Sequence, residues 1–371
     1  MRSAAIAIGL FMALAGSAAA TEEFPSAAGP LAVTTVAEGL EHPWGLAFLP
    51  DGRMLVTERP GRLRVVDAAG QVSPPLAGVP EVYARGQGGL LDVAVDPDFA
   101  ASGYVYLSYA EPGGAGGSTA VARARLAGDR LEDLQVIFRQ VPKLDSGHHF
   151  GSRLVFLGDG TLIVTLGDRN MRDYISDMTS HVGKLVRINR DGSVPADNPF
   201  VGRQGYAPEL YSLGHRNVQG AALNPATGEF WTVEHGARGG DEINIPRPGR
   251  NYGWPVISYG REYSGFKIGE GTEKPGLEQP VHYWDPSIAP SGMEFYTGDS
   301  FPAWRGNVFV GALKGQMLVR LTLDGDRVVG EERLLEALDE RIRDVAQGPD
   351  GALYMLTDDD DGRILRVAPA R

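Results

Sequence analysis

The chain has 371 residues, of which 35 are basic and 47 acidic, giving a net charge of −12, and it contains no cysteine. Disulfides, thiolate zinc sites and cysteine nucleophiles are excluded, and the acidic balance argues against nucleic acid or an anionic lipid surface as partner. Its 50 glycines and 25 prolines suit a chain built from many tight turns.

Taken in order, the first twenty residues read as a targeting segment. Arg2 gives a positive start, Ala4 to Gly16 form an apolar run too short to span a bilayer, and Ser17-Ala18-Ala19-Ala20 offers small residues for cleavage. A signal peptide over 1–20, removed near Ala20, predicts a periplasmic or secreted protein without membrane insertion. No linker or charge shift divides residues 21–371, which read as a single domain.

A strand-like segment, LAVTTVAEGL from Leu31, is followed by six copies of one unit about 45 to 70 residues apart. They are WGLAFLPDG from Trp44, LDVAVDPDF from Leu91, SRLVFLGDG from Ser152, QGAALNPATG from Gln219, SGMEFYTGD from Ser291 and RDVAQGPDG from Arg343. Each is an alternating β-prone run closed by a Pro/Gly/Asp turn, and each is followed by a second strand such as RMLVTE from Arg53 or TLIVTL from Thr161. No amphipathic helix of useful length separates them, which disfavours a parallel sheet. A sandwich would not repeat one motif in one order. The pattern predicts an all-β, six-bladed β-propeller with four-stranded antiparallel blades. The segment from Leu31 is expected to add the outer strand of the last blade and close the ring.

Residues at the start of each blade's innermost strand all reach one mouth of the central channel. Around the ring these are His42 and Trp44, Gln87, His148 and His149, Arg216 and Asn217, Ser287, and Arg341 and Arg343. With Lys314 from the fifth hairpin, the cations make a positive pocket suited to an anionic ligand, the alternative being pairing with Asp344 or Glu340. His149 begins the third inner strand and Asp168 ends the strand after it, so a hairpin can bring them together as general base and orienting carboxylate. His148 reads as a structural neighbour. The loop from Glu234 to Pro255 offers carbonyls around Gly236 and the carboxylates Asp241 and Glu242, oxygen donors of the kind calcium takes, or else an ordinary Gly-rich loop. The acidic run Asp358 to Asp361 reads as a surface turn.

At these residues the chain resembles the soluble quinoprotein sugar dehydrogenases, the glucose/sorbosone dehydrogenase family that uses pyrroloquinoline quinone (PQQ). The resemblance runs through HPWGLAFLPDGRMLVTERPGRL, GQGGLLDVAVDPDF, HFGSRLVFLGDGTLIVTLGDR, DNPF, LYSLGHRNVQG, EHGARGGDEIN with NYGWP, IAPSGMEFY and RIRDVAQGPDG, which in this order cover almost the whole chain that follows the targeting segment. It implies that His149 takes the proton of the anomeric hydroxyl, that Asp168 orients it, and that Arg216 stabilises charge on the quinone. It also implies that Gln87, Asn217, Ser287, Lys314, Arg341 and Arg343 hold PQQ. The carbonyls of Gly236 and Ala237 would carry the calcium ion (Ca2+) that polarises it, and Glu242 and Tyr252 match part of a second calcium site. Ala237 departs from the family, which often has proline there, and short loops make the chain more like the compact aldose sugar dehydrogenases of broad range. The implied activity is oxidation of an aldose to its lactone, with electrons passed to an unidentified acceptor by a monomer or weak dimer. A calcium-dependent lactonase and a non-catalytic binding propeller are the competing readings.

Overall fold

The repeated units become strands because each alternates apolar and small residues over five or six positions before a turn that only Gly, Asp or Asn enters cheaply. The computed structural model describes residues 21–114 and 116–370, so the expected signal peptide lies outside the described residues. In chain order, β1 (Thr21–Phe24) and β2 (Leu31–Leu40) precede blade 1, made of β3 (Pro43–Phe48), β4 (Met54–Glu58) and β5 (Arg62–Val66). Blade 2 holds β6 (Leu90–Val95), β7 (Tyr104–Gly113), β8 (Gly116–Ala127) and β9 (Arg130–Arg139), and blade 3 holds β10 (Gly151–Phe156), β11 (Leu162–Leu166), β12 (Lys184–Ile188) and β13 (Leu210–Leu213). Blade 4 is β14 (Val218–Leu223), β15 (Phe230–Glu234), β16 (Asp241–Asn244) and β17 (His282–Trp284), and blade 5 is β18 (Pro290–Phe295), β19 (Val308–Ala312), β20 (Met317–Asp324) and β21 (Arg327–Leu334). Blade 6 is built from β22 (Ile342–Gln347), β23 (Leu353–Thr357) and β24 (Gly362–Pro369).

The protein is a six-bladed β-propeller, and every ladder within a blade is antiparallel. As the sequence predicts, β2 pairs with β24 and closes the ring, its register running from Leu31 opposite Pro369 to Leu40 opposite Gly362. Two blades depart from four strands. Blade 6 gains a fifth from β1, and blade 1 has three, with a lone bridge from Val66 to Val72 beyond them. Among the described residues no helix is long and apolar enough to cross a membrane.

Every inner strand carries a register shift within its first four residues. Such a bulge re-aims side chains at the strand's start. In blades 1 to 3 the freed N–H of Gly45, Asp92 or Arg153 is taken at 2.8–2.9 Å by a hydroxyl of the second strand, Thr57, Ser108 or Thr165. The same hydroxyl donates to a carbonyl of the next inner strand, that of Leu91, Ser152 or Val218. In blade 5 the second strand has Gly311, and Ser291 instead donates across to the Ile342 carbonyl at 2.6 Å. A Cβ on Gly311 would stand 2.6 Å from that hydroxyl oxygen, so glycine makes room for the substitute.

A buried ion cluster lies across the channel. Arg153 reaches Asp92 at 2.9 Å and Asp344 at 3.1 Å, and its guanidinium lies 4.5 Å from the Trp44 ring centre. Asp92 also accepts the Leu154 N–H (2.8 Å) and Asp344 the Leu46 N–H (3.0 Å), so the cluster locks blades 2, 3, 6 and 1 together. Burial pushes the Asp92 carboxyl up to about 6, against the attraction of Arg153. The cluster forms the floor beneath the cavity described next.

Candidate active site

The pairing of β10 with β11 ends on Gly151 opposite Leu166, and His149 and Asp168 each lie two residues beyond that pair. The His149 Nδ1 lies 2.6 Å from Asp168 Oδ1, and both side chains are buried. Approach this close requires Gly167, where a Cβ would lie 1.9 Å from the His149 carbonyl oxygen. His149 itself has φ 50°, a conformation that costs about 1–3 kcal/mol for a non-glycine residue and is held by its backbone N–H donating to Gln87 Oε1 at 2.7 Å. Asp168 Oδ2 accepts the Trp254 indole N–H at 2.8 Å, and Oδ1 also accepts the Asn170 N–H at 2.7 Å.

A carboxylate only accepts, so the imidazole proton sits on Nδ1 and Nε2 is left as a base. Burial, reinforced by the nearby Arg216 charge, lowers the His149 pKa despite the pull of Asp168. Burial would raise Asp168, but its bond to His149 and the charge of Arg216 hold it below the ordinary carboxylate value. The dyad is therefore ionised at Asp168 and neutral at His149. His148 is exposed and stands outside it, its ring centre 6.1 Å from that of His149.

Next to Gln87, which holds the His149 N–H, a cavity of about 320 Å³ opens at the channel mouth; Arg59, Gln87, Asn217, Arg341, Arg343 and Asp358 are among the residues lining it, whereas His149, Asp168 and Arg216 are not. Arg343 lies 2.7 Å and Arg341 3.1 Å from the Asp358 carboxylate, which also takes His42 Nδ1 at 3.1 Å. Burial opposes ionisation of Asp358, yet Arg343 and Arg341 hold it far below the usual carboxylate range. This corrects two expectations. Asp358 is a buried member of the site rather than part of a surface turn, and it supplies the pairing anticipated from Asp344 and Glu340, which go to Arg153 and Arg363. The Nε atoms of Arg59, Arg216 and Arg343 are buried and find no partner among the described residues.

The remaining predicted residues divide. Asn217 lines the cavity while its Oδ1 accepts the Gly151 N–H at 3.1 Å, and Gln87 likewise both lines the cavity and anchors His149. Arg216 donates to the His235 carbonyl at 3.2 Å and stands 5.3 Å from the Trp254 ring centre. Ser287 does not line the cavity; its hydroxyl donates to Asp241 at 2.9 Å. Lys314 is exposed, and its neighbour Leu313 reaches the cavity instead.

The Gly236 loop is organised by Asp241, which accepts the N–H groups of Gly236 (2.8 Å), Ile288 (2.8 Å) and Ala289 (3.0 Å) besides the Ser287 hydroxyl. Glu242 has one long hydrogen bond, from Asn244 at 3.4 Å, and burial together with Glu234 pushes it up to about 8. It borders a void of about 10 Å³ with Gly236, Gly240 and Tyr252. The Tyr252 hydroxyl is spent on the Ile245 carbonyl (2.6 Å) and the Arg247 N–H (2.9 Å), and Ala237 packs with Trp254. Among the described residues no three His, Asp or Glu side chains are placed to hold a metal, so a cation here would draw on main-chain oxygens and Glu242.

Arg59, His235 and Asp358 escape a reading confined to the starts of inner strands. All three directly follow a second strand, β4, β15 or β23, close to where Asp168 follows β11. Applying the hairpin argument to all six blades, rather than to the third alone, finds them. Burial and Arg216 push His235 down to about 3, so it is neutral, its Nε2–H donating to the Pro290 carbonyl at 2.5 Å.

Residues 40–366 match the glucose/sorbosone dehydrogenase family. The chain belongs to that family. It is 50% identical over 343 residues, 91% of this chain and 92% of the relative, to the aldose sugar dehydrogenase YliI of Escherichia coli K12. The solved apo-form of the soluble aldose sugar dehydrogenase from Escherichia coli superposes with a TM-score of 0.90 at 49% identity, covering 92% of this chain and all 100% of that one. The PQQ-bound form of an aldose sugar dehydrogenase from Streptomyces coelicolor gives 0.77 at 31% identity over 91% of this chain and 98% of that one. Membership in the glucose/sorbosone dehydrogenase family makes the protein an oxidoreductase of the sugar-dehydrogenase type.

Proposed function

We propose that the protein oxidises aldose sugars at C1 to their lactones, using PQQ and calcium. One observation carries the reading: a neutral, carboxylate-oriented histidine is held by Gln87, which lines a cavity whose guanidiniums outnumber its carboxylates. The partnerless Nε atoms of Arg216 and Arg343 fit an anionic, carbonyl-bearing cofactor, and the Streptomyces coelicolor relative is a PQQ-bound enzyme. Glu242, short of counter-charge, and the carbonyls of Gly236 and Ala237 fit a hard cation.

His149 Nε2 takes the proton of the anomeric hydroxyl while the C1 hydrogen leaves with its electron pair, and the C1–O bond becomes the lactone carbonyl. Asp168 stabilises the imidazolium that forms and prevents the ring from turning. Arg216 places positive charge beside the reacting atoms, and Asn217, Arg341 and Arg343 orient the anionic ligand. PQQ, when bound, supplies the hydride acceptor, and its electrons pass on to an acceptor outside the protein. Short loops leave few contacts to the distal sugar hydroxyls, so pentoses, hexoses and disaccharides are accepted, whereas ketoses, lacking the anomeric C–H, are inert. Export before cofactor loading, by removal of residues 1–20, places the reaction in the periplasm or medium, and the protein works as a monomer or weak dimer.

The test adds PQQ and calcium to purified apoprotein and assays a sugar panel with an artificial electron acceptor. Oxidation of several aldoses, none of ketoses, and a product that opens to the aldonic acid is the expected result. Hydrolysis of a lactone without PQQ binding would replace this reading with a lactonase. That alternative wants carboxylates and amides converging on one ion, and the surplus of cations at the mouth opposes it.

A further inference from the structure

We infer that Arg59 is a ligand for a carboxylate of the molecule that fills the channel cavity, a third guanidinium beside Arg341 and Arg343, and that it ties that anion to the general base. The inference deepens the proposed function and rests on its cavity being the cofactor site. Arg59 follows the last residue of β4, and its backbone is fixed by its N–H to the His42 carbonyl (3.1 Å) and its carbonyl to the Leu90 N–H (3.0 Å). The side chain is thereby aimed into the cavity that it lines.

Arg59 forms no ion pair among the described residues. The adjacent Glu58 is committed to Arg62 at 2.9 Å and Arg64 at 2.5 Å. Its one side-chain bond is Nη1 to the Gly86 carbonyl at 2.9 Å, and its Nε is buried without a partner. The residue is half-buried, and the buried Nε, short of an acceptor, is a standing cost that a ligand would relieve. Asp358 is shared by Arg341 and Arg343, so three guanidiniums face one carboxylate and the lining calls for a ligand bearing at least two negative charges. Arg59 and Arg343 line the same cavity, and the charge of Arg59 adds to the burial that lowers Arg343. Lys314, expected to serve as a cation here, is exposed outside the cavity, and Arg59 takes its place in the lining.

The Gly86 carbonyl held by Arg59 belongs to the residue before Gln87, whose side chain takes the His149 N–H at 2.7 Å. An anion on Arg59 therefore stiffens the loop that fixes the base. That coupling gives Arg59 a positioning role besides binding.

Calorimetric titration of calcium-loaded apoprotein with PQQ, at low and moderate salt, tests this on R59Q, R59K and the control R85Q. Arg85 lies in the loop that carries Gly86, but it is exposed outside the cavity, over Tyr83 at 5.7 Å, so R85Q makes the same charge change without the same contact. Loss of one charge-assisted contact weakens binding roughly 10- to 100-fold in R59Q and less in R59K, with a shallower salt dependence. R85Q stays within about twofold of wild type, and circular dichroism confirms that all three variants fold. Wild-type affinity in R59Q, or an equal loss in R85Q, overturns the inference. A parallel titration with benzene-1,2,4-tricarboxylate, which has the carboxylates without the quinone, separates it from the proposed function. Should PQQ fail with wild type while the tricarboxylate binds and R59Q abolishes that binding, the PQQ reading falls and Arg59 stands; should neither bind wild type, both fall.

Discussion

Two arginine clusters share this channel, and their supply of carboxylate is opposite. On the floor Arg153 lies between Asp92 and Asp344, one cation to two anions, every member buried and each carboxylate also accepting a backbone N–H of a neighbouring blade. At the mouth Arg59, Arg341 and Arg343 face Asp358 alone, with two Nε atoms left over. The floor has more carboxylate than cation and calls for no further anion, although Arg153 Nη2, 3.1 Å from Asp344, makes no aligned hydrogen bond. The mouth is unsaturated, and its deficit is the size of a small polyanion. Identical side chains thus hold the ring together at one level and recruit a molecule at the next, and the difference lies in which partners the neighbouring strands supply.

The largest effect separates chemistry from recruitment within the mouth. His149→Gln keeps the ring's size and a hydrogen bond to Asp168 but provides no base, so turnover falls by about 10²- to 10⁴-fold while calorimetry with PQQ gives the wild-type affinity. His148→Gln, at the exposed neighbour, changes turnover by less than about threefold. Equal losses at the two positions would mean that the dyad is not the reacting pair.

Next in size is the floor. Arg153→Gln leaves Asp92 and Asp344 buried near each other without a cation, and unfolding in denaturant should show a loss of about 3–5 kcal/mol, the cost of breaking a buried pair. R59Q at the mouth costs less than about 1 kcal/mol of stability, since its guanidinium has no carboxylate to leave behind. Comparable losses at both would erase the distinction between a structural and a recruiting cluster.

The six inner strands, their order and the closing β2 were legible because apolar alternation and turn residues repeat at similar spacing. The His149–Asp168 pair was legible because one hairpin's register fixes it. Arg59 and Asp358 were not, since the ends of the second strands went unread in blades 1 and 6. Trp254 could be set at the channel mouth from the sequence, but not against Asp168, because it sits in the long connection between β16 and β17 and reaches that carboxylate only through the packing of blades 3 and 4. The fifth strand of blade 6 escaped for a different reason: Thr21–Phe24 has three exposed residues in four and so carries almost no pattern.

Trp254 offers the smallest effect and the sharpest reading of how the mouth is tuned. Its indole N–H stabilises the charge on Asp168, and its ring face lies 5.3 Å from the Arg216 guanidinium and 4.6 Å from that of Arg172. Trp254→Phe retains an aromatic face for both arginines and deletes the donor. With less of its charge satisfied, Asp168 attracts the imidazole proton more strongly, so the His149 pKa rises. In wild type burial and Arg216 hold that pKa below the ordinary histidine value of about 6.5, so the midpoint of the acid limb of kcat/KM lies below that pH. In the variant the acid limb moves to higher pH by roughly 0.5 to 1 unit, the equivalent of one neutral hydrogen bond of about 1 kcal/mol. Activity on the acid limb then falls several-fold while activity on the plateau changes little. A uniform fall at every pH, with the limb unmoved, would mean that Trp254 merely fills space beside the dyad, and that the neutrality of His149 is set by burial and Arg216 alone.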